Sequence, residues 1–159
     1  MSGNIIGSIR SAAQRWRKRL LRSTAEHLRR GASGERLASR YLRRQGFKIL
    51  YRNFRGRTGG EIDIVCRDRD TLVFVEVKTR ASNEHGAPQE AVTRGKQRQL
   101  SRLANAYVSM HRLADVPCRF DVVEVWLPHD GTAPRVALHQ NAFDYVEGGS
   151  ARARGARIF

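Results

Sequence analysis

Acidic side chains, cysteine and long apolar stretches are scarce in this sequence, and each shortage excludes a class of protein. The two cysteines, Cys66 and Cys118, belong to no Cys-x-x-Cys pair or Cys/His cluster, which argues against structural zinc and a disulfide framework. No run of about 18 apolar residues is present, so we expect no membrane-spanning helix. Arginines interrupt the apolar residues of the first segment, which argues against a secretory signal. We therefore expect both cysteines to be reduced, buried thiols in a cytoplasmic protein.

The shortage of acidic residues leaves a large positive charge. Only 15 aspartates and glutamates stand against 30 lysines and arginines, which gives a formal net charge of +15. Basic side chains at this density repel one another until a polyanion neutralises them, so nucleic acid or an anionic membrane surface is the first partner class to expect. Hydrophobic residues make up 40% of the chain, which is enough for a modest core and excludes a wholly disordered polycation.

The positive charge is unevenly distributed along the chain. The net charge is +7 on residues 1–33, +6 on residues 34–145 and +2 on residues 146–159. Nearly half of the excess therefore lies in the first fifth of the sequence. We divide the chain into three parts on this basis: a basic amphipathic N-terminal arm (1–30), one folded domain (31–147) and a basic C-terminal tail (148–159).

The arm carries apolar residues at steps of three or four, which is typical of an amphipathic helix. These residues are Ile5, Ile9, Ala13, Trp16 and Leu20. The arm is either a helix that docks on DNA phosphates, a helix that lies on anionic lipid, or a poorly ordered extension that folds only on contact with a partner. We favour the extension most and the lipid interpretation least. We expect the arm to add nonspecific affinity for a polyanion rather than chemistry.

Periodicity in the folded part predicts two helices and five strands in the order αβββαββ. Ser33 is a suitable N-cap for the first helix, and Gly46 supplies its left-handed stop. Pro88 suits the first turn of the second helix, which is expected to end at about Met110. The predicted strands are residues 47–54, 61–67, 72–79, 119–127 and 135–139. This order predicts an α/β domain.

The second and third strands can be paired from their own side chains. If paired residue numbers sum to 139, one face of the hairpin is wholly apolar, whereas a shift of one residue sets apolar against polar side chains. The apolar face then joins Ile62, Ile64 and Cys66 to Val77, Val75 and Val73. On the other face Asp63 lies opposite Glu76, and Glu61 lies opposite Lys78. Facing residues have Cβ atoms about 4.5–5.5 Å apart, a distance at which two carboxylates repel unless a proton or a cation intervenes.

The facing carboxylates indicate a metal-dependent hydrolytic site. Oxygen-only ligands favour a hard ion, so Asp63 and Glu76 point to Mg²⁺ or Mn²⁺ ahead of zinc. Lys78 projects to the same side of its strand as Glu76, which places a cation beside the expected metal and its anionic substrate. Such a site suits hydrolysis of a phosphodiester. Glu35, in the first turn of the first helix, is either a further ligand or a favourable charge at a helix N-terminus.

A series of short motifs between residues 31 and 145 resembles the YraN family of predicted endonucleases. In order, the motifs are Gly34-Glu35, Tyr41-Leu42, Gly46-Phe47, Asn53-Phe54-Arg55, Gly60-Glu61-Ile62-Asp63, Phe74-Val75-Glu76-Val77-Lys78, Lys96-Gln97, Arg119-Phe120-Asp121-Val122-Val123 and Asn141-Ala142-Phe143. The family is assigned to the restriction-endonuclease-like fold with a PD-(D/E)-x-K active site. It is also similar to archaeal Holliday junction resolvases. Ile62 stands in place of the motif's proline, as in many resolvase-like members.

The resemblance implies a mixed central sheet flanked by helices and a specific set of site residues. It makes Asp63 and Glu76 metal ligands, Lys78 the catalytic lysine, and Glu35 the helical acid of resolvase-like members. The implied activity is Mg²⁺-dependent endonuclease cleavage, with DNA ahead of RNA and branched or structured DNA as candidate substrates. Because resolvases of this fold act as dimers, a homodimer is a second expected partner. The alternative is a nucleic-acid-binding module that keeps a nuclease-like fold without catalysis.

Basic side chains around the expected site are candidates for contacts to the nucleic-acid backbone. Such contacts position a strand without reading its sequence. The candidates are Arg52, Arg55, Arg57, Arg80, Lys96 and Arg98. Lys96 lies on the helix face that packs on the sheet, where it either points toward the site or reaches solvent from the edge of the core.

Three other residues are assigned structural roles. Asp121 alternates with apolar neighbours and is expected to accept hydrogen bonds, so we leave it out of the catalytic set. Tyr107 and Trp126 fall in apolar patterns and are expected in the core.

Overall fold

The computed structural model describes residues 28–57, 59–81, 92–128, 130 and 132–146. The amphipathic helix expected before residue 28, Pro88 and the tail from residue 148 lie outside this part of the chain. Helix α1 covers residues 28–44, and helix α2 covers Arg94–His111. The strands are β1 (Lys48–Arg55), β2 (Glu61–Asp68), β3 (Thr71–Arg80), β4 (Cys118–Trp126) and β5 (Arg135–Phe143). The predicted order αβββαββ is confirmed, and β5 runs four residues beyond its expected end.

The five strands form one mixed sheet in the order β1-β2-β3-β4-β5. Strands β3 and β4 are parallel, and the other neighbouring pairs are antiparallel. A parallel pair needs a crossover connection, and α2 lies in the segment that links β3 to β4. No helix in the described ranges is both long and apolar enough to cross a membrane.

The two helices cover opposite faces of the sheet. The α2-side core joins Leu100, Leu103, Tyr107 and Val108 of the helix to sheet residues that include Val65, Phe74, Phe120 and Val122. The α1-side core joins Leu37, Ala38 and Leu42 to Ile64, Cys66, Val73, Val75, Val123 and Val125. Side chains of β3 therefore alternate between the two cores, with even-numbered residues on the α2 side.

The structure corrects the predicted starts of both helices. Ser33 lies inside α1 rather than at its N-cap, because residues 28–32 are already helical. Helix α2 begins at Arg94, where the side chain of Thr93 accepts a hydrogen bond from the Lys96 amide at 3.3 Å. The predicted end of α1 is confirmed: Gly46 has a φ of +89°, and the Phe47 amide donates to the Leu42 carbonyl at 3.0 Å.

The predicted register of β2 and β3 is confirmed over half of its length. The ladder runs from Asp68 opposite Thr71 to Ile64 opposite Val75, and every pair sums to 139. It does not extend to the expected pairs of Asp63 with Glu76 and Glu61 with Lys78.

The two strands separate beyond Ile64, and the amide of Val77 donates to the Asp63 carboxylate rather than to the backbone of β2. Ile62 consequently packs in the α2-side core and not beside Ile64 and Cys66 as predicted. Asn53, in the part of β1 that lies opposite Asp63, has a left-handed φ of +54°, so the backbone of β1 departs from extended geometry beside this point.

Burial agrees with most of the expected core. Tyr107 is buried between the rings of Phe54 and Phe74. Trp126 is only half-buried because it is the last residue of β4, and the Arg135 guanidinium lies 5.9 Å from its ring centre. Cys66 and Cys118 are buried and free, as expected, and burial raises the pKa of the Cys66 thiol to about 12 and that of Cys118 to about 11.

We expect Gly34→Ala to destabilise the protein, although alanine normally favours a helix. A Cβ at Gly34 would lie 1.9 Å from Thr79 Oγ1 and 3.1 Å from Thr79 Cβ, so α1 and β3 approach closely at this point. The expected loss in the free energy of unfolding is about 1–3 kcal/mol. Chemical denaturation measures it, and the added change Thr79→Ala should recover most of the loss.

Gly31→Ala in the same helix is the matched control. A Cβ at Gly31 meets no atom within 4 Å, so this variant should be more stable by about 0.5–1 kcal/mol. Equal effects of the two substitutions would contradict a close contact at Gly34.

Candidate active site

The candidate site lies where β2 and β3 separate. Asp63 Oδ2 accepts a hydrogen bond from the Val77 amide at 2.6 Å, which fixes the carboxylate between the two strands. Burial, and then the negative charge of Glu76, raise the pKa of Asp63 to about 7. An ordinary aspartate is ionised far below this pH, so the surroundings of Asp63 disfavour its charged form.

Glu76 is the most enclosed group of the site, with 5% of its surface exposed. Lys78 Nζ donates to Glu76 Oε1 at 3.0 Å. Lys96 Nζ, from α2, lies 3.1 Å from Oε2 as an ion pair, but without the angles of a hydrogen bond. Oε2 is thus a buried carboxylate oxygen that accepts no hydrogen bond from the described residues. Burying a charge is costly, and two lysines from different elements offset that cost.

Glu35 is close enough to affect Asp63 but is held by other residues. Its Oε2 accepts a hydrogen bond from Asn53 Nδ2 at 3.0 Å and lies 3.9 Å from the Arg52 guanidinium. Its charge is the smallest of the causes that raise the pKa of Asp63. Within the described ranges, no three His, Cys, Asp or Glu side chains are grouped as a metal site. The assignment of Glu35 as a ligand therefore stays a prediction.

The six basic residues predicted to contact nucleic acid occupy different environments. Lys96 points into the site, which decides between the two interpretations of its position. Arg52 lies beside Glu35, and Arg55 pairs with Glu61 at 3.1 Å on the surface. Arg57 and Arg98 are exposed. Arg80 is mostly covered and lies 3.1 Å from Glu124.

Glu124 and His139 are site neighbours that the sequence analysis missed. Glu124 lies opposite Lys78 in the β3–β4 pair, is buried, and contacts His139 Nε2 through Oε2 at 3.1 Å. One signal was available: Glu124 interrupts an apolar strand, as Glu76 does. The partner His139 lies 15 residues away on an outer strand and carries no such signal.

We expect Asp63→Asn to stabilise the protein when divalent ions are chelated. Because the folded-state pKa of Asp63 is raised from 3.8 to about 7, the protonated carboxyl favours folding below pH 3.8, and this contribution is lost as the pH rises through 7. The asparagine does not ionise, so it avoids this loss of stability. Its side-chain oxygen can still accept the hydrogen bond of the Val77 amide. The expected gain at pH 8 is about 1–3 kcal/mol.

Denaturation in EDTA at pH 4 and pH 8 measures this effect. The two proteins should differ little at pH 4, and the variant should be the more stable at pH 8. A variant less stable than the parent at pH 8 would show that the Asp63 carboxylate is not under electrostatic stress.

Fold and site together define a restriction-endonuclease-like α/β domain, with a mixed five-stranded sheet and a buried acidic group at the point where two strands part. Comparison with known proteins gives the family. The chain matches the family model described as "Uncharacterised protein family UPF0102" over residues 34–125, and it belongs to that family. UPF0102 is the YraN family, so the family membership predicted from the motifs is confirmed.

Relatives in several bacteria support this membership. The chain is 52% identical over 121 residues to a UPF0102 protein of Syntrophotalea carbinolica, a match that covers 76% of this chain and 96% of the relative. It is 51% identical over 114 residues to that of Geobacter metallireducens, covering 72% and 91% of the two chains. It is 50% identical over 113 residues to that of Symbiobacterium thermophilum, a match that covers 71% of this chain and 94% of the relative. The shared name, UPF0102 protein, states no activity.

Proposed function

We propose that this protein is a metal-dependent nuclease that hydrolyses phosphodiester bonds. The observation that carries the proposal is the electrostatic state of Asp63 and Glu76. Burial, followed by the negative charge of the buried Glu76, raises the pKa of Asp63 to about 7. This shift is present although two lysines already lie against Glu76. Perturbed carboxylates of this kind are concentrated at functional sites.

The donor set suits a hard divalent ion. Mg²⁺ is usually held through one or two carboxylates, with waters and substrate phosphate oxygens completing its shell. Asp63 and Glu76 supply two such carboxylates, and Glu76 Oε2 accepts no hydrogen bond from the described residues. We propose these two as the ligands of Mg²⁺ or Mn²⁺, with Glu35 as a more distant acid. When bound, the ion would polarise the phosphoryl oxygen and lower the pKa of a bound water.

The remaining side chains have roles that follow from their contacts. The Val77 amide fixes one oxygen of Asp63, so this carboxylate is held in place before any substrate arrives. Lys78 is partly exposed and keeps further donor protons beyond its bond to Glu76, with which it would neutralise charge on the reacting phosphate. Lys96 forms an ion pair with the other oxygen of Glu76.

Nucleic acid is the proposed substrate because the net charge is strongly positive. The chain carries +15, and exposed arginines lie in the loop before β2 and at the start of α2. We propose contacts to phosphates by Arg52, Arg55, Arg57, Arg80, Lys96 and Arg98. DNA is favoured over RNA. The resemblance to resolvases favours branched or otherwise structured DNA and action as a homodimer, and the two free, buried cysteines favour a cytoplasmic location.

Incubation with DNA of defined structure tests the proposal directly. The purified full chain is mixed with linear, nicked and four-way-junction DNA in Mg²⁺, Mn²⁺ or EDTA, and products are separated on denaturing gels. We expect cleavage in a divalent ion, none in EDTA, and none from Asp63→Asn. Cleavage that persists in EDTA or in Asp63→Asn would overturn the proposal.

A binding module without catalysis is the second candidate. It is favoured by the two ammonium groups that already neutralise Glu76 and by the lack of a three-ligand metal group within the described ranges. This candidate predicts binding whose affinity falls steeply with salt, and no metal-dependent product from any of the three DNA structures.

A further inference from the structure

A second group of charged side chains lies beside the candidate site on the α2 side of the sheet. Glu124 has 4% of its surface exposed, and its two oxygens are 3.1 Å from Arg80 Nε and 3.1 Å from His139 Nε2. These residues come from three neighbouring strands, β3, β4 and β5. Lys78 is directly opposite Glu124 in the β3–β4 pair, so the group is continuous with the site.

Burial of Glu124 calls for an explanation beyond stability. A buried ion pair is usually neutral or costly compared with apolar residues of similar size. The residues around Glu124 in β4 are apolar and buried, so an apolar side chain would fit the pattern of the strand. Arg80 Nε is also a buried donor that makes no hydrogen bond within the described residues, because its contact with Glu124 lacks the required angles. This arrangement orients a guanidinium and an imidazole and leaves their polar atoms incompletely used.

Arg80 and His139 both have a part of the side chain open to solvent, 25% and 32% respectively. The contact to Glu124 occupies one nitrogen of each group. The guanidinium keeps its terminal nitrogens, and the imidazole keeps Nδ1, as groups that can face a ligand. The paired guanidinium donors fit the oxygens of a phosphate, and Nδ1 of the imidazole is a further donor in the protonated ring.

The register of the sheet separates this group from the reacting position. Glu76 lies opposite Val122, and Val122 lies opposite His139. Glu76 and His139 therefore lie in the same row across the sheet, separated by two strand spacings. At the usual strand spacing this is roughly 10 Å, whereas a hydrogen bond spans about 3 Å. This separation leaves room for two different phosphates of one backbone.

We propose that Arg80 and His139, both positioned by the buried carboxylate of Glu124, form a second phosphate-binding position for the backbone that flanks the reacting phosphodiester. The inference rests on the proposed function, because it requires a nucleic-acid substrate. Glu124 is a positioning residue and does not touch the ligand.

Glu124→Gln separates positioning from bulk charge. This change makes the protein more positive by one unit, so charge alone predicts tighter binding to DNA. If Glu124 positions Arg80 and His139, binding becomes weaker, by about 3- to 10-fold. Affinity is measured by fluorescence anisotropy in EDTA, with a labelled DNA duplex and the full chain in an Asp63→Asn background, so that cleavage plays no part.

Arg80→Gln/Glu124→Gln is the second variant, with the net charge of the parent and no buried unpaired carboxylate. It should lower the slope of log affinity against log salt by about 1. Arg69→Gln, an exposed arginine at the β2–β3 turn, is the matched control and should leave affinity nearly unchanged. Thermal unfolding confirms that each variant is folded.

The outcomes distinguish the two proposals. Unchanged or tighter binding by Glu124→Gln, or an unchanged salt slope in the double variant, overturns the second phosphate position and leaves the nuclease proposal standing. If the parent binds no DNA in this assay and cleaves none, both fail. Weaker binding by Glu124→Gln with a normal Arg69→Gln control supports the proposal.

Discussion

Glu76→Gln is expected to reduce DNA cleavage by a factor of about 10²–10³ or more. The substitution keeps the shape of the side chain but removes the charge that both lysines contact, Lys78 at 3.0 Å and Lys96 at 3.1 Å. Both ammonium groups then lose their fixed partner, and a proposed metal ligand is lost with them. Initial rates in Mg²⁺ at saturating protein measure the effect.

The two lysines should differ in their effects. Lys78→Met removes a donor that lies in the site and is partly exposed to the substrate, so we expect a loss close to that of Glu76→Gln. Lys96→Met removes an ion pair without a hydrogen bond and leaves Lys78 in place, so the expected loss is only about 10-fold. A larger loss in Lys96→Met than in Lys78→Met would mean that the reacting phosphate lies nearer to Lys96 than to Lys78.

Glu61→Gln is the matched control for Glu76→Gln. Glu61 belongs to the strand that carries Asp63, but it is partly exposed and pairs with Arg55 on the surface. The same chemical change at this position should alter the rate by no more than about twofold, as expected for an exposed ion pair. Comparable losses in both variants would point to a general effect of charge and would count against a specific role for Glu76.

The sequence predicts the part of the site that depends on local periodicity. Alternating apolar residues fix the register of β2 and β3 as far as Ile64 and Val75, because a shift of one residue would expose a buried face. That register brings Asp63 and Glu76 to neighbouring positions. The left-handed Gly46 was equally predictable, since the end of an amphipathic pattern with glycine is a common helix stop.

The sequence does not predict features that depend on side chains replacing backbone groups. In the structure the Asp63 carboxylate accepts the hydrogen bond of the Val77 amide, and the β2–β3 ladder ends before these residues. No periodicity encodes such an exchange, so Ile62 was assigned to the wrong face. Ser33 was misplaced for a related reason: a residue suited to an N-cap is also tolerated within a helix, and the helical segment begins before it.

Contacts between distant elements form the other part that the sequence leaves open. The ion pair of Lys96 with Glu76 joins α2 to β3, and its existence depends on how the helix lies on the sheet. The contacts of Glu124 depend in the same way on the pairing of three strands. In both cases an acid within an apolar strand marked the position, but the identity of the cation required the fold.

Asp121→Ala is expected to cause the largest loss of stability, about 3–5 kcal/mol, because it removes the centre of a buried polar network. Asp121 is fully buried, and its Oδ1 accepts hydrogen bonds from Arg119 Nε and the Asn141 amide, each at 3.0 Å. Arg119 also donates to Asp68 at 2.9 Å. The alanine leaves the arginine with a single acidic partner and the Asn141 amide without an acceptor. Urea denaturation measures the change.

The Asn141 amide needs an acceptor, so an apolar side chain of similar size cannot replace the Asp121 carboxylate. Asn141 has a left-handed φ of +51° where the β4–β5 register shifts, so its amide is turned out of the regular ladder. Asp121→Asn keeps an acceptor for that amide but loses the charge that Arg119 contacts, so its loss should be intermediate. Burial raises the pKa of Asp121 even though Arg119 and the Asn141 amide oppose the shift, which shows how fully the carboxylate is withdrawn from water.

Asp70→Ala is the control for a surface charge. Asp70 has 97% of its side chain exposed and lies 3.7 Å from Arg67, so its removal should leave stability nearly unchanged.

The sequence predicts Asp121 to be a structural acceptor, and its contacts with Arg119 and the Asn141 amide agree with that role. A variant Asp121→Asn that keeps full stability but cleaves no DNA would instead place Asp121 among the residues that act on the substrate. The structural assignment requires the opposite order, in which cleavage falls only as far as the folded fraction does.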